Sequence, residues 1–229
     1  MARIVLLGGG FSTDPDTLLD DYLFGLLPRR QPRVCFLPTA SGDAETYIQR
    51  FHAALNDRCE TSTLGLFVRD ERDPRAVLLT QDAIYVSGGN TANMLAVWRV
   101  HGVDHALVEA YHAGIVLCGI SAGMICWFTS CLTDSFGPVA VLNDGLGLLA
   151  GSGCPHYDSE PARRPAYLRA MGSGALPPGW ALEDGAAALF TDGELTESVA
   201  RRPGAALYRV EAKPDGGVTE TAVQARILR

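Results

Sequence analysis

Basic residues are outnumbered: 19 Lys and Arg stand against 26 Asp and Glu in 229 residues, a formal net charge of -7. Nucleic-acid binders neutralise phosphates with a basic face, so this balance argues against nucleic acid as a partner. Small anions remain open, since a few local arginines suffice for them. Long hydrophobic runs are missing too. No stretch reaches the roughly 18 apolar residues needed to cross a bilayer, and the apolar run at residues 4–7 is too short for a secretory signal. The six cysteines (Cys35, Cys59, Cys118, Cys126, Cys131 and Cys154) are scattered without a Cys-x-x-Cys pair. That pattern argues against a zinc or other metal site and for buried free thiols in a reducing cytoplasm. Repeats, linkers and low-complexity segments are absent, and a 47% hydrophobic content excludes disorder. The expectation is one soluble cytoplasmic domain over residues 1–229, with no membrane partner.

What is present is alternation. Short apolar runs at residues 4–7, 33–37, 83–86 and 115–118 read as strands buried on both faces. Amphipathic stretches at 17–27, 44–55, 91–100 and 104–112 lie between them and read as helices, with Asp43 and Asp104 as candidate N-caps. Strand–helix alternation predicts right-handed crossovers and a mostly parallel sheet with helices on both faces. Beyond residue 180 the runs at 186–190, 194–200 and 205–211 become short and β-rich. Asp192-Gly193 and Pro203-Gly204 separate them as expected hairpin turns.

Three glycine-bearing turns follow apolar strands. Gly8-Gly9-Gly10 lacks the third glycine and the downstream acid of a dinucleotide fingerprint, and reads as a tight turn. Ser87-Gly88-Gly89-Asn90-Thr91 opens a helix at the carboxyl end of a strand, where backbone N–H groups can face a ligand. The third, Gly119-Ile120-Ser121-Ala122-Gly123, is a strand–Gly-x-Ser-x-Gly–helix pattern. Small neighbours let the serine occupy a strained turn that projects its Oγ into the crevice, and the Ala122 N–H can donate to an oxyanion. A serine nucleophile needs a base. His52, His101, His105 and His112 fall on or beside helices, which leaves His156 in Cys-Pro-His-Tyr-Asp as the candidate.

Together Gly88–Thr91, Gly119–Gly123 and Pro155-His156-Tyr157 resemble, in order and spacing, the peptidase E (aspartyl dipeptidase) and cyanophycinase family of serine peptidases. The resemblance extends from the first strand to about residue 210. It implies a class I glutamine-amidotransferase-like (flavodoxin-like) α/β fold, a mostly parallel sheet flanked by helices with C-terminal antiparallel strands. It also implies no metal and no organic cofactor. Carried over, Ser121 is the nucleophile, His156 the general base, Gly89 and Ala122 the oxyanion donors, Gly88 part of the substrate-binding turn and Asn90 a substrate-orienting residue. For the third member the resemblance offers Glu183, favoured by Gly185 and the apolar strand after it, or Asp134. Arg163, Arg164 and Arg169 follow the histidine loop, with Arg164 taken as a candidate anion contact. Asp158 and Glu160 would repel an acidic substrate if they faced the pocket, so strict selection of N-terminal aspartate is not expected.

Rival readings are an α/β-hydrolase esterase, a glutamine amidotransferase and a non-catalytic binder of small ligands. The esterase would want a base near the C-terminus, yet no histidine follows His156. The amidotransferase would want cysteine where Ser121 stands. The expected activity is therefore hydrolysis of short peptides, chiefly dipeptides. A homodimer is open, with Trp127–Phe128 as a patch that could support it unless those rings are core.

Overall fold

Strand β1 (Arg3–Leu7), β2 (Arg33–Leu37), β3 (Glu60–Thr63), β4 (Ala83–Val86) and β5 (Val116–Ile120) alternate with helices α1 (Leu18–Gly25), α2 (Glu45–Leu55), α3 (Pro74–Leu78), α4 (Thr91–His101) and α5 (Val103–His112). This is a computed structural model describing residues 1–214 and 216–229. Side chains alternate across each central strand. Ile4, Leu6, Leu37, Ile84, Val86 and Leu117 join one core cluster with Met94, Leu95, Trp98 and Leu107 of α4 and α5. Val5, Leu7, Phe36, Tyr85, Val116 and Cys118 join a second with Leu19, Leu23, Phe51 and Leu55 of α1 and α2. A strand apolar on both faces can only be buried between two layers, which is why these runs read as continuous in the sequence.

The short helix α6 (Ala122–Ile125) leads into a second set of elements: β6 (Phe128–Thr133), β7 (Ala140–Leu142), β8 (Leu149–Cys154), α7 (Arg163–Gly172) and β9 (Gly179–Leu182). The chain closes with β10 (Ala186–Thr191), β11 (Glu194–Ala200), β12 (Leu207–Ala212), β13 (Val218–Val223) and β14 (Arg226–Ile227). One sheet has the order β14-β11-β10-β1-β5-β4-β2-β3, parallel from β1 to β3 and antiparallel from β1 through β10 to β11. The other has the order β13-β12-β9-β8-β6-β7, with β6, β8 and β9 mutually parallel. Phe128, Cys131, Leu149, Leu182 and Leu207 of this second sheet belong to the same core cluster as the α4–α5 face of the first.

Two expectations are corrected. Asp192 and Gly193, both at positive φ, do turn β10 into β11. Pro203-Gly204 makes no hairpin, because β11 and β12 lie in different sheets. Neither proposed aspartate caps a helix: Asp43 accepts from the Leu66 and Phe67 N–H groups at 2.5 and 2.8 Å, and Asp104 sits inside the first turn of α5. Trp127 and Phe128 are completely buried, so they form core and offer no surface patch. Among the described residues no helix is long and apolar enough to cross a membrane.

Candidate active site

The carboxyl ends of β1, β4 and β5 lie side by side, and the loops that leave them converge. At the end of β5, Ser121 has φ 55° and ψ -113° before α6 begins. This sparsely populated geometry stands the side chain away from both elements, and it holds because Gly119, Gly123 and Gly88 let the elbow pack without Cβ atoms. A Cβ on Gly119 would lie 2.6 Å from the Gly123 carbonyl oxygen and 2.7 Å from that of Val86. One on Gly123 would lie 2.3 Å from the Val86 oxygen. Gly88 completes the packing, since a Cβ there would come within 3.3 Å of the Ser121 Cβ.

Gly89 takes φ 136°, and a Cβ would meet the Ala40 carbonyl at 2.1 Å, so the loop after β4 can follow this path only with glycine. The next N–H, of Asn90, donates to Ala40 O at 2.8 Å. The N–H groups of Gly89 and Ala122 have no acceptor among the described residues and flank the serine loop.

Asn90 has another occupation than the sequence suggested. Its Oδ1 caps α4 by accepting from Asn93 N–H at 2.9 Å, and its Nδ2 donates to Ser135 O at 3.0 Å. Ser135 Oγ in turn accepts from Ala92 N–H at 3.1 Å. The amide thus pins the loop after β6 over the start of α4.

His156 follows Pro155 at the end of β8 with φ 52°, a second non-glycine residue at positive φ. Cys154 of β8 pairs with Ala181 of β9, so the loops leaving these parallel strands emerge together. His156 Nδ1 lies 2.9 Å from Asp184 Oδ1. Burial acts to raise the Asp184 carboxyl, but hydrogen bonds from His156 and Ser159 and the charges of His156 and Arg202 outweigh it and hold it below the usual range. A carboxylate on Nδ1 makes that nitrogen the N–H donor and leaves Nε2 as the basic atom.

Neither sequence candidate for the third position touches the imidazole. Glu183 turns inward, accepting from Ala206 N–H at 3.0 Å, and burial followed by the nearby charge of Asp158 raises its carboxyl. Asp134 stays largely exposed on the other rim and faces Arg163 Nη2 at 3.5 Å. The signal for Asp184 was the Asp184-Gly185 dipeptide, a turn signature that lifts the aspartate off the strand end. Arg164 is also corrected. Its Nε pairs with Glu220 at 2.9 Å and its guanidinium lies over Tyr157 and Tyr208, 5.2 and 5.4 Å from the ring centroids. Arg163 takes the pocket position instead. Its side chain, only 3% exposed, donates to Glu160 Oε2 at 2.7 Å and to Leu132 O at 3.1 Å.

A depression of about 260 Å³ sits over the serine, lined by Gly89, Asn90, Ser121, Asp134, Ser135, Glu160 and Arg163. A larger cavity, about 680 Å³, is lined by Phe24, Arg29, Arg30, Gln31, Pro32, Asp57 and Arg58. Those residues precede β2 and β3, at the opposite end of the sheet from Ser121. The smaller one contains Ser121 and lies at the carboxyl ends of the parallel strands, where ligands bind in such sheets. No direct hydrogen bond joins Ser121 to His156. Among the described residues no group of three or more His, Cys, Asp or Glu side chains could hold a metal.

The sequence from residue 4 to 198 matches the profile of peptidase family S51. The chain belongs to that family. The S51 chain is 50% identical over 213 residues to the uncharacterized peptidase YgaJ of Bacillus subtilis, covering 92% of each. It is 34% identical over 147 residues to peptidase E of Streptomyces coelicolor, covering 62% of this chain and 58% of that one. A crystal structure of a peptidase from an acI-B1 actinobacterium superposes with a TM-score of 0.75 at 16% identity, covering 98% of this chain and 95% of that one. The S51 chain is therefore a peptidase by family, and it shares the mixed-sheet α/β fold of that actinobacterial peptidase.

Proposed function

We propose that this chain is a serine-type exopeptidase of short peptides, chiefly dipeptides, with Ser121 as nucleophile, His156 as base and Asp184 as the group that orients it. The observation that carries the reading is the elbow: Ser121 at φ 55° between two glycines that no larger residue could replace. In the reaction Ser121 Oγ attacks the scissile carbonyl while His156 Nε2 takes its proton, and the carbonyl electrons move onto oxygen. The N–H groups of Gly89 and Ala122 receive that oxyanion. Removing one such donor typically costs about 3 kcal/mol of barrier. The imidazolium then protonates the leaving amine, and water repeats the cycle on the acyl-enzyme. Serine and histidine need only come within hydrogen-bond reach once substrate is bound, since such contacts tighten in the complex.

Pocket size and charge support the substrate class. A cavity of about 260 Å³ is below the roughly 300–1,000 Å³ of sites for drug-sized ligands and suits a dipeptide. Asp134 and Glu160 outweigh the charge of Arg163, whose donors they and Leu132 O already occupy. That rim attracts the free ammonium of a peptide and disfavours an acidic leading side chain.

The test is hydrolysis of dipeptides led by Asp, Glu, Ala, Leu and Lys by the wild type and Ser121→Ala. Neutral- or Lys-led substrates should be cleaved best, and the variant should lose about 10⁴-fold or more in kcat. Turnover undiminished in Ser121→Ala would sink the serine mechanism, and a preference for Asp-led substrates would sink the pocket-charge argument. A folded protein that cleaves nothing would point to a binding role.

A further inference from the structure

We propose that Asp158 and Arg202 form a clamp that positions Asp184 against His156; the inference rests on the serine-peptidase reading above. Asp158 lies two residues beyond His156 in the same loop. One carboxylate oxygen, Oδ1, accepts from the Asp184 N–H at 2.8 Å, and the other, Oδ2, accepts from Arg202 Nη2 at 3.0 Å. The same Nη2 donates to the Asp184 carbonyl at 3.0 Å. One ion pair therefore holds both backbone polar groups of residue 184 while its side chain holds the imidazole.

The turn around Asp184 needs such a hold. Its side chain is 40% exposed and water competes for it. The next residue, Gly185, has φ 83°, and a Cβ there would lie 3.2 Å from Arg201 Cγ and 3.3 Å from Arg202 Nε, so the two arginine side chains lie against the turn. Gly185 N–H donates to Gly8 O at 2.7 Å, and Arg201 N–H donates to Gly185 O at 2.9 Å. Residues 185 and 201 are thus fixed by backbone contacts, whereas residue 184 depends on side chains from the β8–α7 and β11–β12 loops. Asp158 spends both carboxylate oxygens on the Asp184 N–H and on Arg202, so it acts on the placement of Asp184.

The clamp is tested by steady-state kinetics on a cleaved dipeptide and by ¹⁵N NMR of the histidine ring, with Asp158→Ala, Asp158→Asn, Arg202→Ala and the double alanine variant. Misplacing a catalytic group by about 1 Å costs about a hundredfold. Asp158→Ala should therefore lose about ten- to hundredfold in kcat with KM within about twofold. Asp158→Asn keeps an acceptor for the Asp184 N–H and should recover most of the loss. The double variant should be little worse than Asp158→Ala, because the pair acts as one unit. In the NMR spectrum His156 should hold the Nδ1–H tautomer in wild type and become a tautomer mixture in Asp158→Ala. Folded Asp158→Ala and Arg202→Ala with wild-type kcat, while Ser121→Ala is inactive, would overturn the clamp and leave the peptidase reading standing. Activity retained in Ser121→Ala would overturn that reading instead. The tautomer then decides the clamp alone, and an unchanged Nδ1–H signal in Asp158→Ala refutes it. Should Asp158→Ala fail to fold, Asp158→Asn and Arg202→Ala carry the same measurements.

Discussion

Ser121 and His156 sit at φ 55° and 52°, backbone conformations that cost of order 1–3 kcal/mol for a residue with a side chain. Each strain is held by specific contacts, the glycine packing around one and the Asp184 bond and Pro155 at the other. The two adjacent acids at 183 and 184 have separate duties. Asp184→Asn keeps the shape of the turn but offers the imidazole an amide, which orients it poorly, so kcat should fall about 10³- to 10⁴-fold with only a small drop in the urea midpoint. Glu183→Ala should do the reverse. It removes the acceptor of the half-buried Ala206 N–H, so stability should drop about 0.5–1.5 kcal/mol while kcat stays within a few-fold. Kinetics and urea unfolding on both variants decide the assignment, and an inactive but stable Glu183→Ala would return the third position to Glu183. The linkage sign for Asp184 follows from its lowered carboxyl. Its contribution to stability is present above the ordinary carboxylate range and is lost as pH falls through the depressed value.

The strand–elbow–helix unit of β5 and α6 is built by exclusion of side chains. Gly123→Ala must push a Cβ against the Val86 carbonyl of the neighbouring strand, which should lower stability by about 1–3 kcal/mol and distort the elbow enough to lower kcat as well. Gly25→Ala, at the end of α1 with nothing within 4 Å of the new atom, should instead stabilise by about 0.5–1 kcal/mol without touching activity. Thermal unfolding and kinetics of the two variants separate a packing requirement from the general entropy of glycine. At this scale the sequence was legible wherever a strand is buried on both faces. Residues 33–37 and 83–86 read as apolar runs and are β2 and β4. It was illegible where burial comes from elsewhere. Glu-Thr-Ser-Thr of β3 is a polar edge strand, and Leu-Ala-Gly-Ser-Gly-Cys of β8 packs through small residues that carry no period. Since β8 and β9 went unread, so did the register that brings residue 184 to His156. The serine and histidine carried local motifs, whereas the acid was set by the pairing of two strands.

Both sheets share a core, and that sharing decides how the molecule comes apart. Cys35 of the first sheet and Cys126 and Cys131 from the second set of elements lie in one apolar cluster, while Cys59, Cys118 and Cys154 are buried in others or between them. Burial pushes the thiols of Cys35 and Cys59 up to about 11 and that of Cys131 up to about 12, with Cys118, Cys126 and Cys154 also raised. The thiolate is the reactive species, so at pH 8 the folded chain presents almost none of it. All six thiols should therefore stay unmodified by an aromatic disulfide reagent in the native protein. A core continuous across the two sheets also predicts cooperative unfolding. Reagent added along a urea titration should find six thiols appearing in a single transition that coincides with loss of far-ultraviolet circular dichroism. If Cys131 and Cys154 became reactive at a lower urea concentration than Cys35 and Cys118, the second sheet would be unfolding on its own. The His156–Asp184 pair, carried on loops of that sheet, would then be lost before the serine elbow.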